Sequence, residues 1–105
     1  MIDQDKMERA MDYLAETDAE CAHLRADVAR SEFMAKVCEG LHYKSASGSV
    51  EDRKQEARTT QAVIDEWEKH FVAITKYETV RARRMRAELV VEVWRSQNAN
   101  RRQAA

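Results

Sequence analysis

Proline is absent from this 105-residue chain, and its only two glycines, Gly40 and Gly48, stand eight residues apart. These are the two residue types that most often stop a helix or reverse a chain. With both glycines gathered near the middle, the natural reading is one long helical arm on each side of a single turn. Ser45, Ser47 and Ser49 reinforce the turn between them by offering hydroxyls to the local backbone.

The first arm, from Asp5 to about Leu41, carries a heptad. One seam position reads Met7, Leu14, Cys21, Val28, Ala35 and the other Ala10, Thr17, Leu24, Ser31, Cys38. Three-four spacing of this kind marks a coiled-coil seam. Its small and polar members bury little area, so the helix needs neighbours. At about 1.5 Å per residue the arm would be roughly 55 Å long, which points to an extended hairpin or an assembly. Ser49 is a candidate N-cap for the next helix, with Glu51 and Asp52 placed to favour the positive end of the helix dipole. Thr59 and Thr60 offer a second helix entry, which would make residues 50–58 a separate short helix. Beyond it, Val63, Ile74 and Met85 recur every eleven residues, as do Phe71, Ala82 and Val93, a period that gives a straighter or slightly right-handed helix than heptads do. The boundaries expected are a long helix over about 5–41, a turn at 42–49, a second arm over about 50–98 and a frayed tail at 99–105, all within one helical domain. Gly40 is expected at the left-handed cap of the first helix. The bulky residues of the second arm are expected to pack on the small ones of the first.

Charge is unevenly spread. The first 30 residues hold eight acids against four bases, and the last 27 hold seven arginines against two glutamates. A net charge of −1 therefore conceals an acidic front and a basic back, which can pair with each other or leave arginine over for a polyanion. Arg83 and Arg86 lie at i,i+3, as do Arg81 and Arg84, so the basic surface wraps the apolar stripe. Arginine's planar fork of donors suits phosphate; the alternative is that these arginines pair with Glu78, Glu88 and the acids of the first helix. At the turn, His42, Tyr43 and Lys44 end the first helix and Arg53, Lys54 and Arg58 open the next, bringing an aromatic ring and cations to a chain reversal, where a ring can stack on a base while cations follow a single strand's backbone.

Other chemistries find little purchase. Cys21 and Cys38 would stand roughly 25 Å apart on one helix, too far for a disulfide, so reduced thiols and a cytoplasmic location are expected. The start, Met-Ile-Asp-Gln-Asp, is acidic where an export signal would be basic and then apolar. No apolar run reaches the roughly 20 residues of a membrane span. Cys38 with His42, and Cys21 with His23, do not make a four-ligand metal spacing. No phosphate loop, nucleophile elbow or HExxH stretch occurs. Glu66, Glu68 and His70 flank Trp67 with nothing to enclose them. The expectation is a non-enzyme without metal or cofactor.

The order of Ala35-Lys36, Leu41-His42-Tyr43-Lys44-Ser45, Gly48 and Glu51-Asp52-Arg53-Lys54, between two long helices, resembles the UvsY-type recombination mediators of tailed phages. The likeness covers about residues 29–82. Val37 and Cys38 stand where a further basic residue would follow Lys36, and Glu39 adds negative charge. The resemblance implies a helical homo-oligomer that binds single-stranded DNA and helps load a recombinase past single-strand-binding protein. The reading is thus an all-α, extended antiparallel hairpin or coiled coil, assembled through Leu14, Leu24 and Val28 of the first helix and Trp67, Phe71 and Ile74 of the second. Its strand-binding residues would be Lys36, Tyr43, Lys44, Arg53, Lys54 and Arg58 with Arg83, Arg84 and Arg86. The competing reading is a helical protein–protein module, an adaptor or inhibitor without DNA contact.

Overall fold

A computed structural model describes residues 1–104, which form three helices, α1 (Gln4–Ser45), α2 (Val50–Thr59) and α3 (Gln61–Ala104). Among the described residues there is no strand, and no helix is long and apolar enough to cross a membrane. The all-helical class expected from the pattern is the class observed.

The punctuation differs from expectation in one respect. Gly40 lies inside α1 rather than at its end, and the helix runs on to Ser45. A mid-helix glycine costs only about 1 kcal/mol against alanine, too little to stop a helix whose next turn closes well. Ala46 N–H donates to the His42 carbonyl at 3.1 Å, and the Ser45 hydroxyl donates back to the carbonyls of Leu41 and His42. The residue that adopts positive φ is Gly48, at 110°. Directly after it Ser49 caps α2: its hydroxyl accepts from Asp52 N–H at 3.1 Å, and the Asp52 carboxylate accepts from Ser49 N–H at 3.3 Å. This reciprocal pair satisfies two donors that a helix start leaves open. Thr60 is extended (φ −69°, ψ 132°) and separates α2 from α3, the second helix entry anticipated there. At the far end α3 continues to Ala104, past Asn98; Ala105, the last residue of the expected frayed tail, lies outside the described residues.

The chain divides into two compact units, Met1–Ala22 with Glu78–Ala105, and His23–Tyr77. In the first, α1 and α3 run antiparallel around a core of Met7, Ala10, Ala87 and Val91, with Leu14, Val90 and Trp94 packed on it. Trp94 is therefore part of a core. Full burial of a side chain the size of Met7 or Val91 contributes about 1.5–3 kcal/mol, an upper bound because unfolded chains already bury some surface. In the second unit Ala35, Ala57 and Val63 are almost wholly buried, and Glu39 meets Arg58 while Ser31 meets His70, again antiparallel.

On α1 the heptad holds throughout, with every seam residue from Met7 to Cys38 buried or half-buried. On α3 the eleven-residue reading does not hold. The inward positions there are Val63, His70, Tyr77, Arg84 and Val91, seven apart, with Ala73, Val80, Ala87 and Trp94 between them. Phe71 and Met85, members of the eleven-residue series, are 52% and 55% exposed. The reason is geometric: a helix packed along a heptad seam must present its own side chains at the same period. So the expected match of bulky on small fails in part. The residues most buried from α3 are Val63, His70, Val80, Ala87 and Val91, mostly small. Leu14, Leu24 and Val28, expected between chains, are half-buried on the seam face of their own chain; Trp67 and Ile74 are half-buried and Phe71 is exposed.

Candidate nucleic-acid interface

Because α1 continues to Ser45 before the capped reversal, its last turns stand beside α2 within the second unit. Tyr43 is fixed there by two contacts with Arg53. The Arg53 Nε–H donates to the Tyr43 carbonyl at 3.3 Å, and its guanidinium carbon sits 4.4 Å from the ring centroid. A cation at that distance is attracted by the ring's negative face, so each group holds the other still. One turn further along α2, Arg58 Nε reaches Glu39 at 3.8 Å. These pairings leave a groove of about 270 Å³ lined by Lys36, Glu39, Gly40, Tyr43, Lys54, Ala57 and Arg58. At Gly40 a Cβ would stand in open space, with nothing within 4 Å of it.

Tyr43, Lys54 and Arg58 of the expected turn residues therefore share one groove with Lys36, the position the resemblance added. Three cations line it with one carboxylate, Arg58 being paired with Glu39 and Lys36 with Glu32, which leaves Lys54 as the cation without a carboxylate partner among the described residues. At this size the groove fits a phosphate or one planar ring rather than an enclosed metabolite, whose pockets start near 300 Å³. A second groove of the same unit, about 430 Å³, carries Asp27, Asp65 and Glu68 against Lys69 and Lys76 and does not suit a polyanion. Lys36 also holds Glu32 at 3.0 Å, and this hydrogen bond keeps the Glu32 carboxyl below its ordinary range. Lys44 is exposed but lines no part of the groove. With 100° per residue, it points about 100° around α1 from Tyr43.

The arginine cluster belongs to the other unit. Arg83 and Arg86 are exposed, and Arg81 pairs with Glu78 at 3.2 Å. Arg84 occupies a different place from its neighbours. Its side chain is 16% exposed, and Nη1 donates to the Leu14 carbonyl at 2.8 Å and the Thr17 hydroxyl at 2.7 Å. Long apolar stems let arginine lie in a seam while its head finds acceptors. Arg84, expected on a phosphate-facing surface, thus lies in the seam instead, while Arg83 and Arg86 are exposed.

His70 is the residue that pattern reading passed over. Rather than lying unenclosed beside Trp67, it is 7% exposed. The Ser31 hydroxyl lies 3.0 Å from the Val28 carbonyl and shares a 2.9 Å hydrogen bond with His70 Nδ1, its direction set by the imidazole tautomer. Trp67 stands edge-on to the imidazole at 5.7 Å between centroids. The signal was present in the spacing, seven residues from Val63 and seven from Tyr77. Among the described residues no buried side-chain nitrogen or oxygen lacks a hydrogen-bond partner. The two cysteines are free thiols, Cys21 buried and Cys38 half-buried, and no group of three or more metal-ligating residues comes together among the described residues.

No family model matches the chain, and neither a curated protein nor a solved structure matches it.

Proposed function

We propose that this chain is a non-enzymatic, single-stranded-DNA-binding accessory protein of the recombination-mediator kind, acting as a homo-oligomer beside a recombinase and a single-strand-binding protein. One observation supports the reading: Lys36, Tyr43, Lys54 and Arg58, four of the nine residues expected to bind a strand, line a single groove. In this reading the cations contact successive phosphates and Tyr43, steadied by Arg53, gives a base a ring to stack on. Arg83 and Arg86, on the other unit, offer phosphates a second basic surface.

The test is anisotropy of a labelled oligothymidylate over a range of salt. Replacing Lys36, Lys54 and Arg58 with alanine should weaken binding and flatten the salt slope by up to about 0.7 for each phosphate left unneutralised. Tyr43→Ala should cost about 1–3 kcal/mol with little change in slope, because stacking displaces no counterions. A wild-type protein with no affinity at low salt would end this reading.

A second reading, a helical protein-interaction module, is favoured by the apolar residues that α1 exposes, Phe33 at 66% and Leu41 at 61%. Binding of that kind would depend only weakly on salt.

A further inference from the structure

Gly40 is a residue of α1 that the fold itself does not require. It lies inside the helix without a positive φ, where a glycine is less favourable than alanine, and a Cβ there would meet nothing within 4 Å. Neither a turn nor a close neighbour in the chain accounts for it. Glycine also serves where a ligand must come close to the backbone, and Gly40 lines the groove. Its surroundings lie wholly within the unit His23–Tyr77. Lys36 and Tyr43, four residues before it and three after, flank it along one face of α1. From α2 the groove takes the small, buried Ala57 with Lys54 and Arg58.

Glu39 runs against the charge that phosphates need, so a groove serving phosphates alone would be better without it. Its ion pair with Arg58 Nε, at 3.8 Å, is well beyond the 2.7–2.9 Å of a closed charge-assisted hydrogen bond. The two side chains are 32% and 59% exposed. Acceptors and donors therefore stand side by side at the groove with bonding capacity unused.

We infer that the groove selects guanine. The base lies over Gly40 and stacks on the face of Tyr43 that Arg53, 4.4 Å from the ring centroid, leaves open. Glu39 accepts from the N1–H and the N2 amino group, and Arg58 donates to O6. Single-stranded bases are read on this Watson–Crick edge. Among the four bases, guanine alone sets two N–H donors next to each other there, matching the two oxygens of a carboxylate. Its O6 follows them, as the guanidinium follows the carboxylate in the groove. Thymine places one N–H between two carbonyls, which a carboxylate repels. Cytosine and adenine each offer one amino group, half of the pairing. Lys54, with no carboxylate partner among the described residues, is left for the phosphate. The inference rests on the strand-binding reading and adds a base preference to it.

The test compares a labelled oligothymidylate with the same strand carrying one central guanine, by anisotropy with the full-length protein. Guanine should tighten binding about tenfold, the size of one bidentate base contact. Hypoxanthine in its place, which lacks the N2 amino group, should lose most of that gain. Glu39→Gln should lose it too, because an amide has a single acceptor oxygen. Gly40→Ala should melt higher than the wild type yet bind the guanine strand at least about fivefold more weakly, since its methyl crowds the ring. Equal affinity for the two strands overturns the inference and leaves the strand-binding reading standing. No affinity for either strand ends both. The inference also falls if hypoxanthine binds like guanine, if Glu39→Gln keeps the preference, or if Gly40→Ala binds like the wild type.

Discussion

Replacing Arg84 with alanine tests the packing of the first unit at its least expected point. The guanidinium Nη1 donates at 2.8 Å to the Leu14 carbonyl and at 2.7 Å to the Thr17 hydroxyl, while Nη2 lies 3.2 Å from Asp18. A hydrogen bond with one charged partner contributes about 1.5–3 kcal/mol. The Asp18 contact adds little, because that carboxylate is 80% exposed and water screens it. Neither of the other acceptors is orphaned by the change. Leu14 sits within α1, and the Thr17 hydroxyl already donates to the Tyr13 carbonyl at 2.7 Å. The loss therefore comes from two donors and a buried stem, without an added desolvation penalty. Arg84→Ala should lower unfolding free energy by about 2–3 kcal/mol. Arg84→Met should lower it by less than about 1 kcal/mol, since an apolar chain of similar length keeps the packing and buried ionic groups are often replaceable. Arg84→Lys should fall between them, because a lone ammonium lacks the fork that serves two acceptors. Urea unfolding followed by circular dichroism at one protein concentration measures all three, with equal m-values as the control. A loss under about 0.5 kcal/mol for the alanine variant, the size of an ordinary surface change, would mean that Arg84 is solvated and the seam assignment is wrong.

Two further outcomes follow from local geometry. Gly48→Ala should destabilise by at least about 1 kcal/mol, because φ is 110° and the new Cβ would meet Asp52 at 3.2 Å; Gly40→Ala, in an open helical position, should instead stabilise by about 0.5–1 kcal/mol, and thermal melts of the pair separate the two. The carboxyl of Glu32, held below its ordinary range by Lys36, should titrate higher in Lys36→Met when followed by NMR. Its folded value being the depressed one, the small stabilisation it gives is complete above the unfolded carboxylate range and lost as pH falls through the folded value; an unchanged midpoint in the variant would refute the pairing.

How far the sequence alone reaches depends on whether the signal is local. The α1 seam was legible from Met7 to Cys38 because small apolar residues rarely keep strict heptad spacing except along a packed face. The Ser49 cap and the Thr60 break were legible because short hydroxyl side chains act on backbone within a turn of themselves. Gly40 misled because its cost inside a helix is small and the winning factor, closure of the next turn by Ser45 and Ala46, is not carried by the glycine. The period on α3 misled for a different reason. Phe71, Met85 and Leu89 are large and exposed, so counting apolar residues weighted an outward set over inward ones such as Ala73 and Ala87. Arg84 and His70 read as surface charge and stray aromatic. Only the partner across the seam, Leu14 and Thr17 for one and Ser31 for the other, shows why a polar side chain is retained inside. For the candidate site, residue type could only nominate the turn set, while spatial grouping separated Lys44 from it and Arg84 from Arg83 and Arg86.

The break at Thr60 leaves α2 as a ten-residue helix with Ala57 as its one buried side chain. Helices shorter than about 12–15 residues are marginal in water on their own, so α2 stays folded through its cap, Ala57 and the reach of Arg53 and Arg58 back to α1. Yet α2 supplies Lys54, Ala57 and Arg58, nearly half of the groove lining. Occupancy and local order are thereby linked: any ligand that bridges α1 and α2 binds only the ordered form and raises its share by mass action. Affinity at the groove then contains the folding free energy of one short helix, and changes to Ser49 or Asp52, which touch no ligand, would tune it from outside.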